Sequence, residues 1–99
     1  MEKVKALNLL GLAYCARKAV NGYDSVMMGI TSKKVNVVFV ASDASSKTIE
    51  AFNKKCFYYN IKIYTCFTSE ELSKSIGRGL VKVLAISDKG FADSLIKLL

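Results

Sequence analysis

Between residues 17 and 25 the chain runs Arg17-Lys18-Ala19-Val20-Asn21-Gly22-Tyr23-Asp24-Ser25. A fixed positive pair ends an apolar helical stretch, a glycine supplies a turn, and short polar side chains open the next helix. The first backbone N–H groups of a helix have no partner within it and face anions readily, so this stretch is a candidate anion- or RNA-binding edge. Each residue also has a plain structural role. Arg17 and Lys18 complement the negative end of a helix dipole. Gly22 suits a positive-φ turn, and Asp24 or Ser25 capping a helix contributes about 1 kcal/mol.

Other chemistries find less support. The chain has no histidine, which removes the usual base near neutral pH and the commonest imidazole metal ligand. Cys15, Cys56 and Cys66 are odd in number, lack C-x-x-C spacing and lie in apolar surroundings, the pattern of reduced core thiols in a cytoplasmic protein. Gly77-Arg78-Gly79 falls at a helix end and before a strand, the wrong side for a dinucleotide or phosphate loop. Among Asp43, Glu50, Glu70, Glu71, Asp88 and Asp93 no spacing specifies a metal site, and Glu70 and Glu71 favour a helix dipole. No catalytic residue, metal or cofactor is therefore expected. An enzyme would have to use the strand ends near Ser42 and Asp43, with a pocket of converging polar groups.

The elements that must position the edge are legible in turn. With 99 residues and 52% hydrophobic content, the chain fits one domain over residues 1–99 with ample core. Its 15 Lys and Arg against 8 Asp and Glu give +7, a charge that attracts polyanions. The uncharged run from Ala6 to Ala16 is too short to span a bilayer. A helix is predicted from Glu2 to Lys18 with Val4, Leu7, Gly11 and Tyr14 as its inner stripe and Leu9 and Leu12 widening it. A second begins at Tyr23 or Asp24, carries Val26, Met27 and Ile30, and closes in the polar tail Thr31 to Lys34.

Val35 to Val40 has the β-branched, unbroken pattern of a strand covered on both faces. A helix follows Ser45 and Ser46 with Ile49, Phe52, Cys56 and Tyr59 inward, and Asn60 ends it. Ile61 to Phe67 is the next strand. Thr68 with Glu71 forms a capping box opening a helix through Ile76. Val81 to Ser87 is a further strand, Asp88-Lys89-Gly90 a turn, and Phe91, Leu95, Ile96 and Leu98 mark a terminal helix. Strands alternating with helices predict an α/β fold: a three-layer α-β-α sandwich around a mixed, largely parallel sheet of about four strands.

Three stretches, Leu10-Gly-Leu-Ala followed by Arg17-Lys18 and Gly22, Val40-Ala-Ser-Asp-Ala44, and Glu71-Leu72 with Gly77-Arg78, resemble the ribosomal protein L7Ae family of kink-turn RNA-binding proteins, above all its small bacterial ribosomal-protein-like members of Gram-positive type. The likeness covers nearly the whole chain. It implies an RNA surface made by the turn into the second helix, that helix's first turns, and the loop after the strand ending near Phe67. Carried over, this nominates Lys18, Gly22, Tyr23, Asp24, Ser25 and Met28, flanked by Ser45 and Ile49, with Cys66, Phe67 and Thr68 as the second loop. Helix-start N–H groups and Lys18 would meet phosphates, Asp24 and Ser25 purine edges, and Phe67 an unstacked base. Met28, Ile49 and Cys66 are also residue types that commonly pack in cores.

One departure bears on specificity. Where the family usually presents an Asn-Glu pair and a lysine three residues on, this chain has Asp24, Ser25 and Met28. An amide donor and a cation are missing, and each lost charge-assisted contact costs on the order of 1.5–3 kcal/mol, about tenfold to a hundredfold in affinity. The expectation is a non-enzymatic cytoplasmic protein that binds structured, kink-turn-like RNA, with the ribosome as a further candidate partner and neither DNA nor membrane involved. Phosphate contacts are expected from Arg17, Lys18, Lys33 and Lys34, with Lys74 and Arg78 as further candidates. The competing expectation is a ribosome-associated protein-interaction adaptor that lost base readout and docks through Met27, Met28 and Ile30.

Overall fold

The computed structural model describes residues 1–99 and holds five helices and four strands. In chain order these are α1 (Lys3–Cys15), β1 (Ala19–Asn21), α2 (Tyr23–Thr31), β2 (Val37–Val40), α3 (Ser46–Tyr59), β3 (Lys62–Tyr64), α4 (Ser69–Ile76), β4 (Val83–Ile86) and α5 (Lys89–Leu98). The sheet is mixed, in the order β1-β4-β2-β3. Period-2 alternation divides the core between its faces. Val37, Phe39, Leu84 and Ile86 face α1, α4 and α5 together with Leu10, Leu72 and Leu95. Val38, Val40, Val83 and Ala85 face α2 and α3 together with Val26, Ile30, Phe52 and Cys56.

The sheet is not largely parallel. β2 and β3 pair in parallel, as expected of strands joined by the crossover helix α3, but β4 is antiparallel to both β1 and β2. Strands β1, β2 and β3 do share one direction. The exception is β4, which enters between β1 and β2 after residues 77–82 have returned the chain to the end where the other three strands finish. One reversed central strand thus makes two of the three pairings antiparallel.

Other local expectations shift for identifiable reasons. Ala19–Asn21, which fall in no predicted element between the first helix and the Gly22 turn, form an edge strand whose three residues pair with Ile86, Ala85 and Leu84. In α1 the fully buried positions are Ala6, Leu10 and Ala13, while Val4 and Leu12 of the predicted stripe are exposed. This helix is apolar nearly all round. The face of small residues wins, because it lets the backbone come close to its neighbours: a Cβ at Gly11 would land on the carbonyl oxygen of Ser75 in α4. Lys89 and Gly90 are the first turn of α5 rather than a turn before it, since Asp88 accepts from the N–H of Phe91 at 2.9 Å and caps the helix there. Cys56 is buried and burial pushes its thiol up to about 11, Cys66 is half-buried, and Cys15 is exposed, contrary to its expected core position. The capping box is present in full, with Thr68 Oγ1 accepting from the Glu71 N–H and Glu71 accepting from the Thr68 N–H. Asn60 ends α3 in the left-handed conformation. No helix is long and apolar enough to cross a membrane.

Candidate nucleic-acid interface

Register fixes two ends of the sheet. At the upper end β1, β2 and β3 finish and β4 begins, because Asn21 pairs with Leu84 and Val40 with Val83. At the lower end Ala19 and Val37 both lie opposite Ile86, and Val37 also lies opposite Lys62.

The upper end gathers the segments into α2, α3, α4 and β4. Gly22 closes β1, donating its N–H to Val83 O at 3.0 Å, and starts α2 at φ 98°, ψ 149°, a conformation essentially restricted to glycine. No side chain caps α2, so the N–H groups of Tyr23, Asp24 and Ser25 have no protein partner; the first bond of the helix is Val26 N–H to Gly22 O. Asp24 and Ser25 therefore do not act as caps. Tyr23 is held from below by Phe52, edge to face with ring centroids 5.0 Å apart. Across from them Ser45 caps α3, its Oγ accepting from Thr48 N–H at 3.2 Å and donating to Thr48 Oγ1 at 3.0 Å. Between these helix starts lies an open hollow of about 450 Å³ lined by Gly22, Tyr23, Ser45, Thr48, Leu80 and Lys82.

Leu80, Lys82 and Thr48 were absent from the sequence expectation. Leu80 is 80% exposed and adopts φ 49°, unusual for a branched apolar residue. An exposed leucine just before a predicted strand, following two glycines, was the available signal. Met28 projects outward, 70% exposed, so it does not belong to the core. Ile49 is half-buried and packs against the α2–α3 core.

The second loop also reaches the upper end, but on the α4 side of the sheet. Ser42 donates its N–H to Phe67 O, and both carboxylate oxygens of Asp43 bind Ser69, from its N–H at 2.8 Å and its Oγ at 2.6 Å. These bonds from Ser69 hold the Asp43 carboxyl below the ordinary aspartate range and commit it to joining two loops. Phe67 is 1% exposed and packs on Phe39, so the expected stacking on a base is corrected: its ring belongs to the core on the α1 side, turned in beyond the end of β3. Cys66 packs partly against the same core, and Thr68 is occupied in the capping box.

The cations are the larger correction. Ser87 donates its N–H to Lys18 O, and Asn36 donates to Ile86 O, which puts Arg17, Lys18, Lys33 and Lys34 at the lower end. The unpredicted strand β1 intervenes, so Lys18 and Gly22 are about 13 Å apart along extended chain. The basic pair does not adjoin the glycine turn. Arg78 donates from Nε to Tyr14 Oη at 2.7 Å beside α1, and Lys74 pairs with Glu70 on α4. Lys82 is the one cation lining the hollow.

Residues 5–96 match the model of the ribosomal protein L7Ae/L30e/S12e/Gadd45 family. The chain belongs to that family. Two relatives are each named RNA-binding protein YlxQ. The one from Bacillus subtilis (strain 168) is 41% identical over 99 residues, covering 100% of this chain and 99% of its own. The one from Enterococcus faecium is 37% identical over 91 residues, covering 92% and 87%. Among solved structures, a Bacillus halodurans protein of unknown function superposes with TM-score 0.92 at 32% identity, covering 95% of both chains. A Giardia lamblia 15.5kD RNA binding protein superposes with TM-score 0.85 over 99% of this chain and 85% of its own; at 14% identity it shares the fold.

Proposed function

We propose that this L7Ae-family chain binds RNA in the cytoplasm as one non-catalytic domain of residues 1–99, and that its upper end receives a structured, kink-turn-like RNA. The carrying observation is the uncapped start of α2. Three N–H groups without partners open beside a hollow that also offers the Tyr23 ring, the hydroxyls of Ser45 and Thr48, and the ammonium of Lys82. The N–H groups suit a phosphate or a base carbonyl, and the hydroxyls suit base edges or 2′-hydroxyls. Leu80 and Tyr23 supply apolar surface on which an unstacked base can rest. With one cation in the hollow, recognition there rests on shape and hydrogen bonding more than on charge. The names of the YlxQ relatives support the RNA reading. The kink-turn preference is supported by the family resemblance and by this geometry, and an association with ribosomal RNA by the resemblance alone.

The test is a titration of a kink-turn RNA against a straight duplex of equal length across a salt series. Tighter binding of the kinked RNA that persists at high salt is expected; equal, steeply salt-dependent binding to both overturns the reading. Met28, exposed beside the half-buried Met27, favours one alternative, an adaptor that docks a ribosomal protein through α2. Under that alternative Met28→Ala would leave both RNA affinities unchanged while lowering ribosome association.

A further inference from the structure

The lower end carries five cations without an ion-pair partner: Arg17, Lys18, Lys33, Lys34 and Lys62. All five are exposed. Five other lysines are neutralised locally, by Lys3–Glu71, Lys5–Glu2, Lys54–Glu50, Lys74–Glu70 and Lys89–Asp93, while Lys47, Lys55, Arg78, Lys82 and Lys97 have no ion pair. At the lower end the nearest acid outside those pairs is Asp88, whose carboxylate is engaged as the cap of α5. Five of the ten Lys and Arg without an ion pair are thus gathered at this one end.

Backbone conformation adds a second observation. All four helices α1 to α4 end beside a left-handed residue, a position that ordinarily takes Gly or Asn. α3 ends on Asn60 at φ 57° and α4 on Gly77 at φ 69°. α1 and α2 instead place Arg17 at φ 60° and Lys33 at φ 59°. A side chain with a Cβ costs about 1–2 kcal/mol in this conformation, more than the dipole bonus a terminal cation usually returns. Helix termination alone would favour Gly or Asn at both positions.

A third observation indicates what the cations meet. Phe57 is 89% exposed at the C-terminal part of α3 and shares with Lys62 an open groove of about 800 Å³. A bare aromatic ring beside a cation is the pairing that single-stranded nucleic acid uses, with a base on the ring and a phosphate on the charge.

We propose that the lower end is a second RNA surface, which holds an unpaired strand by its phosphates across these five cations and by one base on Phe57. Its width from β1 to β3 is three strand spacings, about 14 Å. At about 3.4 Å per phosphate in a stacked strand, that matches about four phosphates. The protein then holds a folded RNA at one end and an unpaired segment at the other. This inference rests on reading the chain as RNA-binding, and it is independent of whether the upper end prefers a kink.

The experiment measures binding of a labelled uridine dodecamer to the full chain. The variant R17Q/K18Q/K33Q/K34Q/K62Q is compared with a control of equal net charge, K5Q/K54Q/K55Q/K74Q/K97Q. The lower-end variant should bind at least tenfold more weakly, with a salt slope shallower by up to about one unit per phosphate lost; the control should change by less than threefold. F57A should weaken binding about tenfold without lowering Tm. The dodecamer should still bind protein saturated with kink-turn RNA. Equal losses in both charge variants, an unchanged F57A, or exclusion of the dodecamer by the kinked RNA overturns the proposal. So does polyglutamate binding as tightly as the dodecamer at the same salt, since the surface then suits an acidic polypeptide. Failure of the kinked-versus-straight comparison removes the upper-end reading and leaves the charge-variant result standing.

Discussion

The two ends of the sheet solve opposite problems with the same helices. The upper end has shape, open backbone donors and one cation in its hollow; the lower end has five unpaired cations and an exposed ring. Hydrogen-bond donors fixed by backbone geometry discriminate between folded RNAs and are little affected by salt, whereas flexible lysines on a surface attract any polyanion and are screened. On the proposed reading, specificity and affinity are separable by location in this molecule. A net charge of +7 says nothing about which end reads RNA, and the charge proves to lie mainly away from the shaped site.

The sharpest way to break this contrast is to remove the floor of the upper end. Phe52 is fully buried and its ring supports Tyr23 edge to face. Phe52→Ala should cost about 3–5 kcal/mol of stability, read as a fall in the denaturation midpoint. Phe52→Leu should cost under about 1.5 kcal/mol, keep dodecamer binding, and still weaken kinked-RNA binding through the displaced Tyr23. Equal weakening of both ligands by Phe52→Leu would mean that the two ends are not separable. Next in size is Gly22→Ala. A Cβ there meets nothing within 4 Å, so the cost is backbone strain at φ 98°, about 1–3 kcal/mol. The chain relieves that strain by shifting the start of α2, and kinked-RNA affinity should fall with stability.

Why the upper end was half legible follows from the same residues. Gly22, Tyr23, Ser45 and the Thr68 capping box have local signatures, since turn, cap and helix start are decided within four residues. The long α3 and the buried strands β2 and β4 were likewise written in hydrophobic periodicity. What periodicity could not show was non-local. Three residues, Ala19 to Asn21, become a strand because β4 lies beside them, and that pairing moves Arg17 and Lys18 to the far end. Leu80 and Lys82 join the hollow because β4 enters against the direction of its neighbours. Phe67 lies in a stretch whose pattern is compatible with either face, and tertiary packing chose the core. Cys15 and the face of α1 were misjudged for a related reason: in a helix apolar on several sides, the approach of α4 to Gly11 selects the stripe.

Adding charge where the shaped end lacks it sharpens the contrast in the other direction. Met28 is exposed and lies five residues after Tyr23 and three after Ser25, on the second turn of α2, so Met28→Lys should change stability by less than about 0.5 kcal/mol. If RNA docks along the start of α2, the new ammonium reaches its backbone and strengthens kinked-RNA binding about tenfold, worth ~1.4 kcal/mol. Dodecamer binding at the lower end should rise by less than threefold. A gain for the dodecamer that equals the gain for the kinked RNA would place both ligands on one surface.

The smallest effect concerns the joint between the two loops of the upper end. Asp43 has its pKa lowered chiefly by the hydrogen bond from the Ser69 hydroxyl, then by the Ser69 N–H, and Glu71 has its pKa lowered chiefly by Lys3 and then by the Thr68 N–H. A carboxylate whose native pKa lies below its unfolded value binds fewer protons when folded, so its stabilisation is complete above the unfolded value. It is lost progressively as pH falls through the unfolded and then the lowered native value, a window that opens at about pH 5. Denaturation midpoints of the wild type should therefore be level from neutral pH to about pH 5 and fall below it. Asp43→Asn keeps an acceptor for one Ser69 donor and removes the titrating group, so its midpoint should be slightly lower at neutral pH and should fall less steeply in acid. Because Asp43 joins the loops rather than facing the hollow, kinked-RNA affinity at neutral pH should change by less than threefold. A larger loss would mean that the carboxylate, or the loop it holds, touches RNA directly, and the shaped end would then extend across the sheet to the α4 side.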